Sequence, residues 1–205
     1  DGAHCLDRGH EVVFEGDSIL HVGPAFPGTV DATIDATGML VCPGFVDAHV
    51  HCGGGQANVV DQAGLEALAK QANGGAIKRA DGKEVKSVVF VQCAGQRDTG
   101  GQHLSYCSGH CCATSIKQAM YFKDANPDID TMVMYTDLRV PGTGEDFYRS
   151  GQQKGITFTK GKTASVEAAG SDGKGACKVN FKDLILNEDV TVEADLVVLA
   201  TGMVA

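Results

Sequence analysis

Four cysteines fall within twenty residues of this 205-residue chain: Cys93, Cys107, Cys111 and Cys112. Thiolates are soft ligands that suit zinc or an iron–sulfur cluster, while free thiols are also among the residues most often buried for packing alone. Zinc sites usually pair their cysteines at short spacing, two to four residues apart. The adjacent Cys111 and Cys112 with a remote Cys93 fit that habit poorly and suit an iron–sulfur cluster better. Half of the chain's eight cysteines lie in this one segment, which counts against incidental thiols. All three readings stay open on the residues alone.

The elements that must position these thiols flank them. Residues 88–91, Val-Val-Phe-Val, form a continuous run expected of a strand buried on both faces, and Cys93 stands just past its end. Ala113, Ile116, Lys117, Met120 and Lys123 carry helical spacing, so the second cysteine group opens a helix. If that helix starts at Ser108, Cys107 and Cys111 share a face and Cys112 is turned by about 100°. N–H groups at a helix start favour thiolates there.

These residues carry a resemblance. The stretches 88–98 (Val-Val-Phe-Val-Gln-Cys-Ala-Gly-Gln-Arg-Asp), 106–112 (Tyr-Cys-Ser-Gly-His-Cys-Cys), 116–119, 134–139, 145–149 and 195–203 occur in the order found in the heterodisulfide reductase A family. Within that family the chain is most similar to the B-type subunit of the quinone-interacting membrane-bound oxidoreductase, and the match covers about residues 56–205. The resemblance implies that Cys93, Cys107, Cys111 and Cys112 ligate a [4Fe–4S] cluster close to FAD. It also implies electron transfer alongside other redox subunits of a membrane-associated complex, in a cytoplasmic protein peripheral to the membrane through those partners. The flavin-binding glycine loop of the family lies upstream of the matching region and is absent here, so FAD is expected to be held mainly by other parts of such a protein.

Residues 1–52 read differently. Residues 11–14 and 18–22 form short strands around a Gly16–Asp17 turn. Residues 43–51, Pro-Gly-Phe-Val-Asp-Ala-His-Val-His, resemble the opening segment of the amidohydrolase superfamily. His49 and His51 alternate on a strand and so face one side; the resemblance implies a divalent metal there that activates water for hydrolysis. A complete (β/α)₈ barrel takes about 250 residues, and only 154 follow His51. Two segments are therefore expected: a β-rich amidohydrolase-like fragment over 1–52 and an α/β domain over 56–205, joined near residues 53–55.

The remaining elements fix the class. A helix is expected over 58–72, a strand over 131–135, a helix over 145–154, a strand over 155–159, an antiparallel pair over 176–181 and 190–193, and a buried strand over 196–200. The β-α-β-α-β order predicts a parallel, doubly wound, Rossmann-like sheet, resembling the nucleotide-binding lobe of thioredoxin-reductase-like flavoproteins. Thr201 and Gly202, after the last strand, are the candidates for close approach to a flavin. No G-x-G-x-x-G follows the first strand, so no tight NAD site is expected. Asp137 stands where a ribose-binding acid could, without the glycine loop that gives such an acid its role. Arg97 and Arg139 are candidates to pair with carboxylates or approach a flavin phosphate, with ordinary surface or structural arginines the commoner case, and Arg149 is expected to serve a helix end. Cys5, Cys42, Cys52 and Cys177 show no ligand spacing.

Composition sets the outer bounds. The balance of 17 basic against 26 acidic residues gives −9, which argues against nucleic acid as a partner. No apolar run approaches the roughly 20 residues of a membrane span, so direct membrane insertion is not expected. Abundant cysteine without a signal peptide points to a reducing compartment.

Overall fold

The computed structural model describes residues 11–15, 18–33, 57–101, 103–168 and 174–202. The chain divides into two units, Asp1–Gly44 and Phe45–Ala205. In the first, β1 (Glu11–Glu15) pairs antiparallel with β2 (Ser18–Gly23), with a register shift between Val13 and Phe14. The Phe26 N–H donates to the Glu11 carboxylate at 2.8 Å, which ties the segment after β2 back to the start of β1. The histidine pair at 49 and 51, and Cys5, Cys42 and Cys52, lie outside the described residues.

The second unit is built on a seven-stranded sheet in the order β3-β9-β4-β5-β6-β7-β8. Its chain order is β3 (Val59–Asp61), α1 (Gln62–Ala72), β4 (Ser87–Val91), α2 (Cys111–Ala125), β5 (Asp130–Tyr135), α3 (Gly144–Gln153), β6 (Thr157–Ala168), β7 (Cys177–Asp183), β8 (Asp189–Ala194) and β9 (Leu196–Leu199). The first five strands in spatial order run parallel; β6, β7 and β8 continue as an antiparallel meander. The α/β class and the parallel core expected from the sequence are both present.

Strand β4 is central. Val91 pairs with Met134 on one side and Leu199 on the other. A strand with parallel neighbours on both edges has both faces covered, and this accounts for its uninterrupted apolar sequence. Val88 and Phe90 pack with Leu65, Ala119, Phe122 and Val198 against the helices. Val89 and Val91 pack on the opposite face with Cys177, Val179 and Phe181. The doubly wound expectation is corrected here: among the described residues all three helices serve one face, and residues of β7 and β8 close the other. The antiparallel pair expected over 176–181 and 190–193 is present as β7 and β8, and with the twelve-residue β6 it folds over the face that a second helical layer would cover.

Two local corrections bear on the site. Helix α1 starts at Gln62, not at residue 58, because Val59–Asp61 pairs parallel with β9. Asp61 then caps the helix, its carboxylate accepting from the Gly64 N–H at 2.6 Å. Asn58, fully buried, donates its amide to the Lys174 and Gly175 carbonyls and accepts from the Ala80 N–H, so it staples three loops. Helix α2 starts at Cys111, with His110 at its N-cap providing no side-chain bond. Cys107 therefore lies in the loop before the helix and does not share a helical face with Cys111.

A polar seam fixes α2 against α1. The Gln62 amide donates to the Cys111 carbonyl at 3.0 Å and the Ser115 hydroxyl at 2.8 Å. The buried Gln118 amide donates to the Gln62 carbonyl at 2.8 Å and to Glu66 at 3.1 Å. Lys117 and Tyr121 also reach the Glu66 carboxylate. Partial burial opposes ionisation of Glu66, but the Gln118, Lys117 and Tyr121 bonds outweigh it and hold the carboxyl below its ordinary 4.5. A carboxyl depressed by folding stabilises the protein above its unfolded pKa, and that contribution disappears as pH falls through the folded value. Glu66→Gln should accordingly be less stable than wild type at neutral pH. The gap should close on acidification below about pH 4, the range where unfolded glutamate takes up its proton. Urea midpoints of both proteins across pH check this, and a gap that persists in acid contradicts it.

Candidate functional site

The four cysteines of the sequence lie on segments at the carboxyl end of the parallel strands: Cys93 past β4, Cys107 in the loop before α2, and Cys111 and Cys112 in the first turn of α2. The Gln92 N–H still donates to Met134 O at 2.9 Å, continuing the β4 ladder, and the chain then breaks at Cys93. Cys93 has φ of 59°, a left-handed conformation uncommon for a side chain with a Cβ. This bends the chain into the 93–96 turn, closed by the Gln96 N–H on Cys93 O at 3.2 Å. Ala94 donates to Ala200 O at 3.1 Å, holding the turn against the end of β9. Such conformations persist only where the surroundings enforce them, and they concentrate at functional sites.

From there the loop returns to the helix. Arg97 donates its backbone N–H to Tyr106 O at 3.1 Å, and Asp98 donates to Leu104 O at 3.0 Å. The Asp98 carboxylate accepts from the Gly100 and His103 N–H groups at 2.7 and 2.8 Å. This compact loop delivers Tyr106 and Cys107 beside the turn that carries Cys93. Gln96, buried and absent from the sequence-based candidates, is the joint of the arrangement. Its carbonyl oxygen accepts from the Ser108 N–H at 2.9 Å, while Gly202 lies so close that a Cβ there would fall 2.1 Å from the Gln96 amide carbon. Gly202 has φ of 84°, so both conformation and space call for glycine. The sequence signal for this was the Gly in Ala-Thr-Gly; nothing marked Gln96 as its counterpart. Thr201 and Gly202 are both buried at the end of β9, beside the Cys93 turn.

The thiols form one electrostatic neighbourhood. Burial pushes the Cys93 thiol up, the Arg97 guanidinium opposes this, and negative charge on Cys112 or Cys107 adds to the rise. Burial likewise pushes Cys112 up, opposed by the Arg139 backbone N–H and reinforced by Cys111 and Cys107. Cys112 Sγ lies 4.0 Å from the Asp137 carbonyl oxygen, and Cys111 Sγ lies 3.4 Å from the Ser108 hydroxyl. Cys93, Cys107 and Cys111 are half-buried and Cys112 is buried; none is in a disulfide. Among the described residues no three Cys, His, Asp or Glu side chains close tightly enough to hold a metal ion as they stand. The donor set still fits a sulfur-ligated group, since it is four cysteines outside any disulfide, on segments beside Arg97, Arg139 and a helix start. Arg97 pairs with Asp137 at 2.5 Å, which places both near the thiols. Arg149 pairs weakly with Asp146 at 3.7 Å on α3. Cys177 is a buried core thiol of β7, with Sγ 3.7 Å from Asn58 O.

The chain is a mostly parallel α/β domain, and by its relatives it belongs to the heterodisulfide reductase A family. The chain is 37% identical over 152 residues to the iron-sulfur A-type subunit of CoB–CoM heterodisulfide reductase from Methanocaldococcus jannaschii, covering 71% of this chain and 22% of that protein. It is 35% identical over 155 residues to an iron-sulfur A-type subunit of CoB–CoM heterodisulfide reductase from Methanopyrus kandleri, covering 72% and 23%. The chain thus spans about a fifth to a quarter of the length of these relatives. The resemblance drawn from the cysteine motifs is borne out by them. Residues 32–132 match the Amidohydrolase family, in keeping with the resemblance drawn from the histidine segment. Among solved structures, T. acidophilum thioredoxin reductase aligns over 78% of this chain and 42% of its own at 13% identity, with a TM-score of 0.44. The fold assignment rests on the sheet itself.

Gly202→Ala should lower stability by about 1–3 kcal/mol, because it adds left-handed strain and displaces Gln96 from Ser108. Gly82→Ala is the control: it shares a left-handed φ of 82°, but its added Cβ meets nothing within 4 Å. Chemical denaturation should rank Gly202→Ala clearly below Gly82→Ala; equal losses would remove the argument for a Gly202–Gln96 joint.

Proposed function

We propose that this chain is an electron-relay segment of a flavin/iron–sulfur oxidoreductase of the heterodisulfide reductase A type, with Cys93, Cys107, Cys111 and Cys112 ligating a [4Fe–4S] cluster. The observation that carries the reading is placement: Cys93 sits in a left-handed turn past β4, Cys107 in the loop hydrogen-bonded back to that segment, and Cys111 and Cys112 in the first turn of α2. Cysteines drawn from a strand end, a loop and a helix start, two of them adjacent, suit a cluster of several atoms better than the paired short spacing usual for zinc. When bound, such a cluster accepts and releases single electrons. The protein's part is to ligate through the four sulfurs, to hold the Cys93 turn against β9 through Ala94 and Ala200, and to keep Cys112 out of water beneath the 137–139 segment.

FAD is the proposed neighbour of the cluster, approached by the backbone at Thr201 and Gly202 and held mainly by parts of such a protein beyond this segment. Other redox subunits are the proposed partners, in keeping with the relatives being named as subunits. No helix among the described residues is long and apolar enough to cross a membrane, and attachment through partner subunits is the proposed link to one. The chain is proposed to be organised as an amidohydrolase-like fragment over 1–52 followed by the redox domain over 56–205. A second reading, a divalent metal at His49 and His51 serving hydrolysis, is favoured by the Amidohydrolase family match alone.

Metal analysis of anaerobically purified protein separates these readings. About four irons and four sulfides per chain are expected, falling by at least half in Cys111→Ser and unchanged in His49→Ala. Zinc in place of iron would support an interaction domain stapled by the cysteines. Metal that survives Cys111→Ser and is lost in His49→Ala would support the hydrolase.

A further inference from the structure

Two buried polar groups at the thiol end of β4 lack a protein partner: Arg97 Nη1 and both polar atoms of the Gln92 amide. A buried donor left unbonded costs about 1–3 kcal/mol, so such groups mark places where an acceptor belongs. Gln92 immediately precedes Cys93 and is 7% exposed. Arg97 follows the Cys93 turn with φ of 57°. Its position is set from two sides. The backbone N–H donates to Tyr106 O at 3.1 Å, next to Cys107, and Nη2 donates to Asp137 Oδ2 at 2.5 Å. The same Asp137 places its carbonyl oxygen 4.0 Å from Cys112 Sγ. The guanidinium is thereby fixed among the segments that carry three of the four thiols. Its charge and a side-chain contact with the Cys93 sulfur offset part of the burial of that thiol, while the buried Nη1 completes no hydrogen bond of ordinary geometry in the protein.

We propose that Arg97 is a positioning and tuning residue of the thiol site: Asp137 holds one arm of the guanidinium, and Nη1 is aimed to donate to a sulfur acceptor at Cys93. This rests on the iron–sulfur reading above. One-electron reduction adds one negative charge to the sulfur-ligated group and makes or breaks no bond in the protein. A fixed cation donating to one of its sulfurs favours that more negative state and raises the reduction potential. Arginine suits the task because its planar fork can serve Asp137 and a sulfur at once, which a lysine ammonium does less well. The electron comes from the flavin in the proposed relay, and from dithionite in the test.

The test is a dye-mediated redox titration of the reconstituted chain, followed by electron paramagnetic resonance, with iron and sulfide measured on each sample. Arg97→Gln should keep its iron but titrate more negative. At the wild-type midpoint its reduced-to-oxidised ratio should fall about tenfold, which is about 59 mV for one electron. Arg97→Lys should move in the same direction by less. Arg149→Gln removes the same charge from a side chain 64% exposed and should leave the midpoint where it is. An unmoved midpoint in Arg97→Gln, or an equal shift in Arg149→Gln, overturns the assignment. If Arg97→Gln fails to retain iron, Arg97→Lys decides, and an unmoved midpoint there overturns it. A wild-type chain that binds no iron overturns the iron–sulfur reading and this inference together, whereas iron with an unmoved midpoint overturns this inference alone.

Discussion

The site depends on the parallel pairing of β4 between β9 and β5. Parallel neighbours on both edges bury both faces of β4 and line up the carboxyl ends of the three strands. The backbone must leave the sheet there, and in open α/β sheets this is the edge where ligands collect. Cys93 is the second residue past β4, Ala200 to Gly202 follow β9, and Asp137 and Arg139 follow β5. The three loops that meet the thiols are therefore brought together by sheet register alone. Side chains refine a juxtaposition that backbone hydrogen bonding has already made.

Polar contacts then fix what the sheet brings near. The Gln62 bonds to Cys111 O and Ser115 pin the first turn of α2, so Cys111 and Cys112 are held by the α1–α2 seam. Gln96 links Ser108 to the Gly202 corner, joining the loop before α2 to the end of β9. Burial raises Cys93 and Cys112 toward their neutral form, while Arg97 beside Cys93 and the Arg139 backbone N–H beside Cys112 oppose it. Opposing influences of this kind suit thiols that ionise when a cation or cluster arrives and stay protonated without one.

Much of this was legible in the residues. The run at 88–91 read as a strand buried on both faces because it is short, continuous and made of β-branched and aromatic residues. The helical spacing from Ala113 located α2, and Cys-Cys at its start located the thiols. Other features were not legible, for identifiable physical reasons. Val59–Asp61 is three residues long and merges into a helix-forming sequence, so tertiary pairing with β9 decided it against local propensity. The start of α2 at Cys111 was hidden because Gly109 and His110 offer no N-cap signal. The antiparallel pair of β7 and β8 was legible, but the persistence of β6 over twelve residues and the packing of the pair on the face opposite the helices were not, because the mixed Thr, Lys and Gly composition of β6 does not announce them. Gln96 and the orphaned arm of Arg97 emerge only from three-dimensional proximity.

The claim that the four thiols bind one sulfur-bridged group is most directly tested by iron X-ray absorption on the anaerobically reconstituted chain. A cluster held by these thiols gives a first shell made of sulfur, with iron–iron scattering beyond it, and both are lost when Cys93, Cys107, Cys111 and Cys112 are all changed to serine. A first shell of nitrogen and oxygen, or a sulfur shell that survives the fourfold change, would contradict it.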